Sequence, residues 1–265
     1  MELVTQFGAS MTDCLAYLGS LTSLGSRAAY HTFVAPFQGK PLRLQRAASQ
    51  AMDVGVRAVP ILSLITFCIG LILALESAPE FAKFGALKNV ARTVALSMSR
   101  ELGPLITAIV MIGRSGSAFA AEIGTMQVSE EVDALEIMGI NSVQFLVTPK
   151  FLAMIVMVPC LTIWANGMGI LGGALFGVTQ ANFTLGRYIQ TSIESLFLWD
   201  ILSGLIKAVM FGATIAAVGC LEGLNTGAGS EQVGRSTTSA VVTSIFFVVL
   251  ENLFLTGIFF FMGVG

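Results

Sequence analysis

Four ionisable residues lie inside long apolar runs of the sequence. Arg100 and Glu101 are neighbours in the second run, Lys207 lies in the fourth run and Glu251 in the fifth. A charge at the centre of a bilayer costs roughly 2.5–3.5 kcal/mol, so such residues favour a functional role. Adjacent helix residues point about 100° apart, so we expect Arg100 and Glu101 to face different directions. We expect Glu101 to pair with Lys207. This pair either fixes helix register or borders a substrate path.

A second group of charges lies in SEEVDALEIMGI, a stretch between two apolar runs. Residues 122–136 contain five acids and no lysine or arginine. Ser129 is suited to cap a helix whose first turn then holds acids, and Gly139 is suited to end it in a left-handed conformation. The pattern predicts a short helix over residues 129–139. One side of this helix is apolar, with Val128, Val132 and Leu135. Composition alone leaves open whether the helix is a passive connector or a docking projection.

The sequence lacks the residue combinations of common catalytic and metal sites. His31 is the only histidine, and the motifs HExxH, GxSxG and GxxxxGK[ST] are absent. The four cysteines are isolated in the sequence: Cys14, Cys68, Cys160 and Cys220. We therefore expect no catalytic site, metal site or cofactor on this chain, and any ATP must be bound by another chain. The net charge of -2 gives no basic patch for nucleic acid.

The elements that position these residues are predicted from composition. The 265 residues are 55% hydrophobic and 11% charged, whereas soluble domains carry about 25% charged residues. We predict an all-α integral membrane protein with a single domain over residues 1–265. Its predicted transmembrane helices cover residues 59–79, 89–120, 151–182, 201–222 and 238–264. The predicted helix 129–139 lies between the second and third spans.

The N-terminal region contains leucines at near-helical spacing. Residues 8–36 are predicted to form an amphipathic helix in the membrane interface; the alternative is a cytosolic extension. Several basic residues precede the first span and place the N-terminus in the cytoplasm by the positive-inside rule. They are Lys40, Arg43, Arg46 and Arg57. Five spans then place the C-terminus on the opposite side of the membrane, outside the cell.

Small residues recur every four positions in the third and fourth apolar runs. The third run has Ala165, Gly169, Gly173 and Gly177, and the fourth has Gly204, Ala208, Gly212 and Ala216. Such stripes let the backbones of two helices approach closely. We expect the three glycines of the third run to form a helix-packing surface.

Residues 100–151 resemble the signature region of the MlaE permease family, also called YrbE. The stretch reads RELGPLITAIVMIGRSGSAFAAEIGTMQVSEEVDALEIMGINSVQFLVTPKF, with Lys150 where the family usually has arginine. Length and span order extend the resemblance over essentially the whole chain. Such permeases are subunits of ABC transporters that move phospholipids or other lipids between the inner membrane and the cell envelope, which maintains lipid asymmetry.

The resemblance also implies partners and a location. Two permease copies form a homodimer in the bacterial inner membrane, and two cytoplasmic ABC ATPase subunits bind ATP and Mg²⁺ and drive transport. A ring of MCE-domain lipid-binding proteins lies in the periplasm, and some systems add a small STAS-domain protein. In this comparison the helix 129–139 is the coupling helix that contacts the ATPase.

Two sets of site residues follow from the resemblance. The lipid pocket is assigned to Leu73, Phe81 and Phe84, with Arg100, Glu101 and Lys207 deeper in the membrane. The ATPase-coupling residues are Glu130, Glu131, Asp133, Leu135, Met138 and Gly139. At the position of Glu80, related proteins can have an apolar residue. An alternative function is an ion-coupled secondary transporter or channel subunit that uses Glu101 and Lys207 as a relay.

Overall fold

The computed structural model describes residues 2–34, 44–179 and 184–263, and within these ranges the chain is helical without any strand. The helices up to the second span are α1 (Glu2–Phe33), α2 (Leu44–Gly55), α3 (Val59–Lys83), α4 (Lys88–Ser97), α5 (Gly103–Met111) and α6 (Ser117–Val128). The helices that follow are α7 (Glu131–Ile137), α8 (Thr148–Thr179), α9 (Leu185–Glu194), α10 (Leu198–Leu224) and α11 (Ser230–Phe261). Lys40 and Arg43, and the ends of the predicted ranges 8–36, 151–182 and 238–264, lie outside these described residues.

Five apolar helical segments are long enough to cross a membrane, which confirms the predicted all-α membrane class. They are Gln45–Lys83, Lys88–Val128, Val143–Thr179, Leu198–Leu224 and Ser230–Phe261. All five begin before the predicted ranges, and three of them end after those ranges. The hydrogen-bonded helices continue past the apolar runs from which the ranges were predicted. The second span is continuous through two wider, π-helical turns, Met98–Leu102 and Ile112–Gly116.

Helix α8 lies at the centre of the protein, and the neighbouring helix α3 packs closely against it at glycine residues. A Cβ atom on Gly70 of α3 would lie 1.8 Å from the carbonyl oxygen of Gly169, and one on Gly172 would lie 2.0 Å from that of Phe67. The backbones of α3 and α8 are therefore in direct contact. Gly204 of α10 similarly lies against the backbone of Ser99, where a Cβ atom would come within 2.0 Å of the carbonyl oxygen.

Two glycines of the third-run stripe meet a side chain rather than a helix. A Cβ atom on Gly173 would lie 2.5 Å from the hydroxyl of Tyr188, and one on Gly177 would lie 2.6 Å from its ring. Tyr188 belongs to α9, a helix that the sequence analysis did not predict. Burial of Tyr188, which is 1% exposed, raises the pKa of its phenol. The stripe therefore contacts α3 at Gly169 and the side chain of Tyr188 at Gly173 and Gly177.

Helix α1 packs on the protein with its second half. Leu24 and Ala28 are buried, whereas Leu15 and Leu18 remain exposed. The Tyr17 hydroxyl donates a hydrogen bond to Glu222 of α10 at 2.7 Å. Burial, and then this carboxylate, raise the pKa of the Tyr17 phenol. The exposed leucines leave an apolar edge that is free to enter the membrane interface.

Candidate functional site

Arg100 and Glu101 both lie in the π-helical turn of the second span, and both bond α10. The Nε atom of Arg100 donates to Asp200 Oδ1 at 2.6 Å, and Lys207 donates to Glu101. Each neighbour therefore has its own partner, and both partners belong to α10. Asp200 and Lys207 lie two helical turns apart, about 10 Å along α10. Arg100 and Glu101 therefore reach two different levels of α10.

The expected pairing of Glu101 with Lys207 is confirmed. The Lys207 ammonium also donates to the hydroxyl of Thr256 at 2.8 Å, and that hydroxyl lies 3.0 Å from Glu101 Oε1. The lysine side chain is 2% exposed, whereas the glutamate side chain is 37% exposed. The cluster therefore joins the second, fourth and fifth spans, with the cation enclosed and the carboxylate partly open.

Asp200 is a site residue that the sequence analysis did not identify. Its side chain is 1% exposed, accepts bonds from Arg100, and accepts the backbone N–H of Phe197 at 2.8 Å. The second bond caps the first turn of α10. Asp200 directly precedes an apolar run, which is the only signal in the sequence. Its partner lies 100 residues away and becomes apparent only when the second and fourth spans are placed side by side.

The remaining intramembrane acid, Glu251, lies apart from this cluster and accepts a hydrogen bond from Thr214 of α10 at 2.9 Å. Arg114, lower in the second span, donates to the backbone oxygens of Asp53 and Val54 at 2.8 and 2.9 Å. It thereby satisfies carbonyls at the end of α2. Among the described residues no three His, Cys, Asp or Glu side chains converge as metal ligands.

Two of the three apolar residues predicted to line a lipid pocket pack against one apolar group. Leu73 and Phe81 are partly buried and pack against a group of side chains from the first three spans. That group consists of Ala74, Ala78, Val90, Val94, Met98 and Phe176. Leu102, one residue after Glu101, packs against it as well. Phe84 is 81% exposed in the turn that follows α3 and is not part of this group.

Helix α7 differs at its start from the predicted helix 129–139. It begins at Glu131, and Ser129 ends α6 by donating its hydroxyl to the Thr125 oxygen at 2.9 Å. The expectation that Ser129 caps the short helix is therefore wrong. Helix α6 runs past the apolar stretch, so the serine satisfies its last carbonyls. Glu130 takes a left-handed conformation (φ 59°) between the two helices, and Gly139 (φ 75°) ends α7 as predicted.

The two sides of α7 have different surroundings. Val132 and Leu135 are buried against Leu146, so Leu135 anchors the helix and is not part of its exposed surface. The other predicted coupling residues are exposed: Glu130, Glu131, Asp133, Met138 and Gly139. Ile137, which the sequence analysis did not include, is 87% exposed beside them. We call the exposed side chains of Glu130, Glu131, Asp133, Ile137 and Met138 the α7 surface.

An ion pair between an enclosed lysine and a half-exposed glutamate joins the helices on either side of α7. Lys150 at the start of α8 lies 2.5 Å from Glu122 of α6 and is 2% exposed, with its ammonium 4.9 Å from the ring centre of Phe119. The pair links the end of the second span to the beginning of the third.

The fold and the charge cluster define a multi-pass α-helical membrane protein with a rigidly mounted helix between its second and third spans. The profile of the family described as "Permease MlaE" matches residues 47–258. The chain therefore belongs to the MlaE permease family, which confirms the resemblance.

Similar proteins come from bacteria and a plant. The "Probable ABC transporter permease protein" of Rickettsia bellii is 38% identical over 238 residues, which cover 90% of each chain. The "Intermembrane phospholipid transport system permease protein MlaE" of Haemophilus influenzae is 34% identical over 210 residues, 78% of this chain and 80% of the relative. "Protein TRIGALACTOSYLDIACYLGLYCEROL 1, chloroplastic" of Arabidopsis thaliana is 36% identical over 216 residues, 82% of this chain and 61% of the relative.

Proposed function

We propose that this protein is the permease subunit of an ATP-driven ABC transporter that moves phospholipids between the inner membrane and the periplasmic or outer-membrane side. Family membership and the names of the relatives support this class. The observation that carries the proposal is the α7 surface, an exposed set of three acids and two apolar side chains on a helix held by Val132 and Leu135.

The geometry of α7 fits a coupling role. A short helix with a buried anchoring side can transmit a push only if its mounting is stiff, and the Glu122–Lys150 pair and the apolar contacts to Leu146 supply that stiffness. The acids offer charge complementarity, and Ile137 and Met138 offer an apolar centre to a partner's groove. A partner ATPase that binds ATP and Mg²⁺ supplies the energy, and this chain acts as the transport subunit.

The proposed lipid path lies along the first three spans. The apolar group beside Leu73 and Phe81 suits acyl chains, and Leu102, which packs against this group, follows the partly exposed Glu101 in sequence. The assembly comprises two permease copies, two ATPase subunits and a periplasmic ring of MCE-domain proteins, and a STAS-domain protein joins it in some systems. The chain lies in the bacterial inner membrane with its N-terminus cytoplasmic and its C-terminus periplasmic.

The enclosed Lys207 favours one alternative, an ion-coupled secondary transporter or channel subunit. The Lys207 side chain is 2% exposed, and its ammonium bonds to Glu101 and Thr256. Enclosed ionisable side chains that bond one another inside a membrane are typical of a proton or ion relay. This alternative predicts transport that follows an ion gradient and needs no ATPase.

The test uses the permease purified with its ATPase and reconstituted into vesicles with fluorescent phospholipid. The double variant Glu131→Lys, Asp133→Lys is expected to lose ATPase association and ATP-driven lipid movement while it retains a normal yield. The matched control is Glu194→Lys, an exposed acid on α9 at the opposite membrane surface. Normal ATP-driven transport by the double variant would refute the coupling role. Transport that follows an imposed ion gradient without ATP would support the alternative.

A further inference from the structure

Exposed apolar side chains occur along α9 and at the start of α10. Phe197, Leu198 and Trp199 are 69%, 80% and 57% exposed, and on α9 Leu185 and Ile193 are 50% and 65% exposed. We call these five side chains the α9–α10 patch. An apolar concentration of this kind indicates a binding surface for an apolar environment.

The patch is held rigidly. The α10 end of the patch is fixed by Asp200, which accepts the backbone N–H of Phe197 and is itself bonded by Arg100. The α9 end is fixed by Tyr188, whose ring fills the notch at Gly173 and Gly177 of α8. These contacts orient the aromatic side chains outward without any covering element from the described part of the chain.

The position of the patch in the fold identifies what it contacts. Helix α9 lies between the end of the third span at Thr179 and the start of the fourth at Leu198, so it lies at a membrane surface. This surface is opposite to that of α7, which joins the second and third spans. Tryptophan and other aromatic residues are enriched at the headgroup level of membrane proteins.

The side chains of α9 divide into two sides in a way that agrees with this position. At about 100° per residue, Leu185, Ile189 and Ile193 fall on one side, next to the buried Tyr188 and Ser192. Gln190 and Glu194 fall on the other side and hydrogen-bond to each other at 2.8 Å. The apolar side is therefore wider than the surface that α8 and α4 cover, and its uncovered edge continues into Phe197–Trp199.

We propose that α9 is an interfacial helix and that the α9–α10 patch inserts into the boundary between lipid headgroups and acyl chains. Its occupant is the bilayer itself. The anchor fixes the depth of the third and fourth spans, and through Asp200 it fixes the level of Arg100 in the second span. The proposal concerns membrane contact at this surface and is independent of what the protein transports.

The first test uses the two tryptophans of the chain, Trp164 and Trp199, as depth probes. Trp164→Phe leaves Trp199 as the single probe, and Trp199→Phe leaves Trp164 near the middle of α8 as a deep standard. Each variant is reconstituted at low protein density into phosphatidylcholine–phosphatidylglycerol vesicles brominated either near the headgroup or near the acyl-chain end. Trp199 is expected to be quenched about twofold more by the shallow bromine, as for a ring about 5–10 Å deep. Trp164 should show the reverse order.

The second test places a probe on each side of α9 in a chain without either native tryptophan. Ile193→Trp is expected to be quenched by shallow bromine, and the neighbouring control Glu194→Trp is expected to be quenched by aqueous iodide. Strong iodide quenching of both Trp199 and Ile193→Trp without lipid quenching would overturn the proposal, because the patch would then face water. Protection of both probes from iodide and bromine would also overturn it and would indicate a protein partner or second copy. Deep quenching equal to that of Trp164 would exclude an interfacial position.

Discussion

The charge cluster predicts an asymmetry between two single substitutions. Lys207 is 2% exposed and Glu101 is 37% exposed, although they form one ion pair. In Glu101→Ala the ammonium stays enclosed with only the Thr256 hydroxyl as partner. Removing one partner of a buried pair costs about 3–5 kcal/mol, because the other charge is left uncompensated. In Lys207→Met the carboxylate keeps the Thr256 hydroxyl and its open side, so we expect a loss of only about 1–2 kcal/mol.

The assay is equilibrium unfolding of the purified chain in mixed detergent–SDS micelles, monitored by far-UV circular dichroism. Glu101→Ala is expected to unfold at a lower SDS fraction than Lys207→Met. The double variant Glu101→Gln, Lys207→Met removes both charges with little change of shape. It should therefore be more stable than Glu101→Ala alone, because replacing a whole buried pair is often neutral.

Transport provides the second measurement on the same variants. Because the Glu101 carboxylate is the exposed member at the proposed lipid path, the double variant should fold well and still transport poorly. Equal stability losses for the two single variants would refute the burial argument. Normal transport by the well-folded double variant would show that the pair only fixes helix register.

Three further predictions concern packing and local conformation. Gly172→Ala should lose about 1–3 kcal/mol of unfolding free energy, because its Cβ atom would meet the α3 backbone; Gly167→Ala, with open space, is the matched control. Glu130→Gly should keep or raise thermal stability, because it relieves a left-handed conformation that costs about 1–2 kcal/mol, whereas Glu130→Val should lower it. Tyr17→Phe should increase hydrogen exchange in α1, because it removes the partly buried hydrogen bond to Glu222, which contributes about 1 kcal/mol to stability.

The Tyr17 bond also has a defined pH dependence. The pKa of this phenol is raised in the folded chain, mainly by burial, so the proton is retained where an unfolded tyrosine ionises. Its contribution to stability is therefore complete below the unfolded value of about 10 and is lost as the pH rises through the folded value. Absorbance titration of tyrosinate should show one fewer high-pH transition in Tyr17→Phe. The same titration of Glu222→Gln should show the Tyr17 transition at lower pH, and an unchanged transition would refute the role of Glu222.

Much of the architecture could be predicted because it depends on composition and spacing along one segment. The low share of charged residues requires apolar surroundings, and helices satisfy all their backbone groups within one segment in lipid. The motif from Arg100 to Phe151 identified the family. The left-handed end of α7 at Gly139 followed from local backbone preference, which needs no tertiary contact.

Other features depend on distances between residues far apart in sequence. The start of α7 was misplaced because α6 extends past its apolar run and uses Ser129. Helix α9 was missed because Tyr188, which holds it in place, packs into a notch at Gly173 and Gly177 that exists only in the folded chain. Leu135 was assigned to the coupling residues by the family resemblance, although its spacing places it on the apolar side with Val132. Leu146, which covers that side, lies outside the helix and cannot be identified from helical spacing.

The sequence by itself determined the class of protein, the number of spans and the residues that carry charge into the membrane. The tertiary structure alone decided that Arg100 and Glu101 bond one helix, that Asp200 completes the cluster, and that Lys207 is enclosed while Glu101 is open. Hydropathy and helical periodicity are properties of a segment, so they fix which residues enter the membrane. The partners of those residues depend on the rotation and height of neighbouring helices, and close glycine contacts across the core set both.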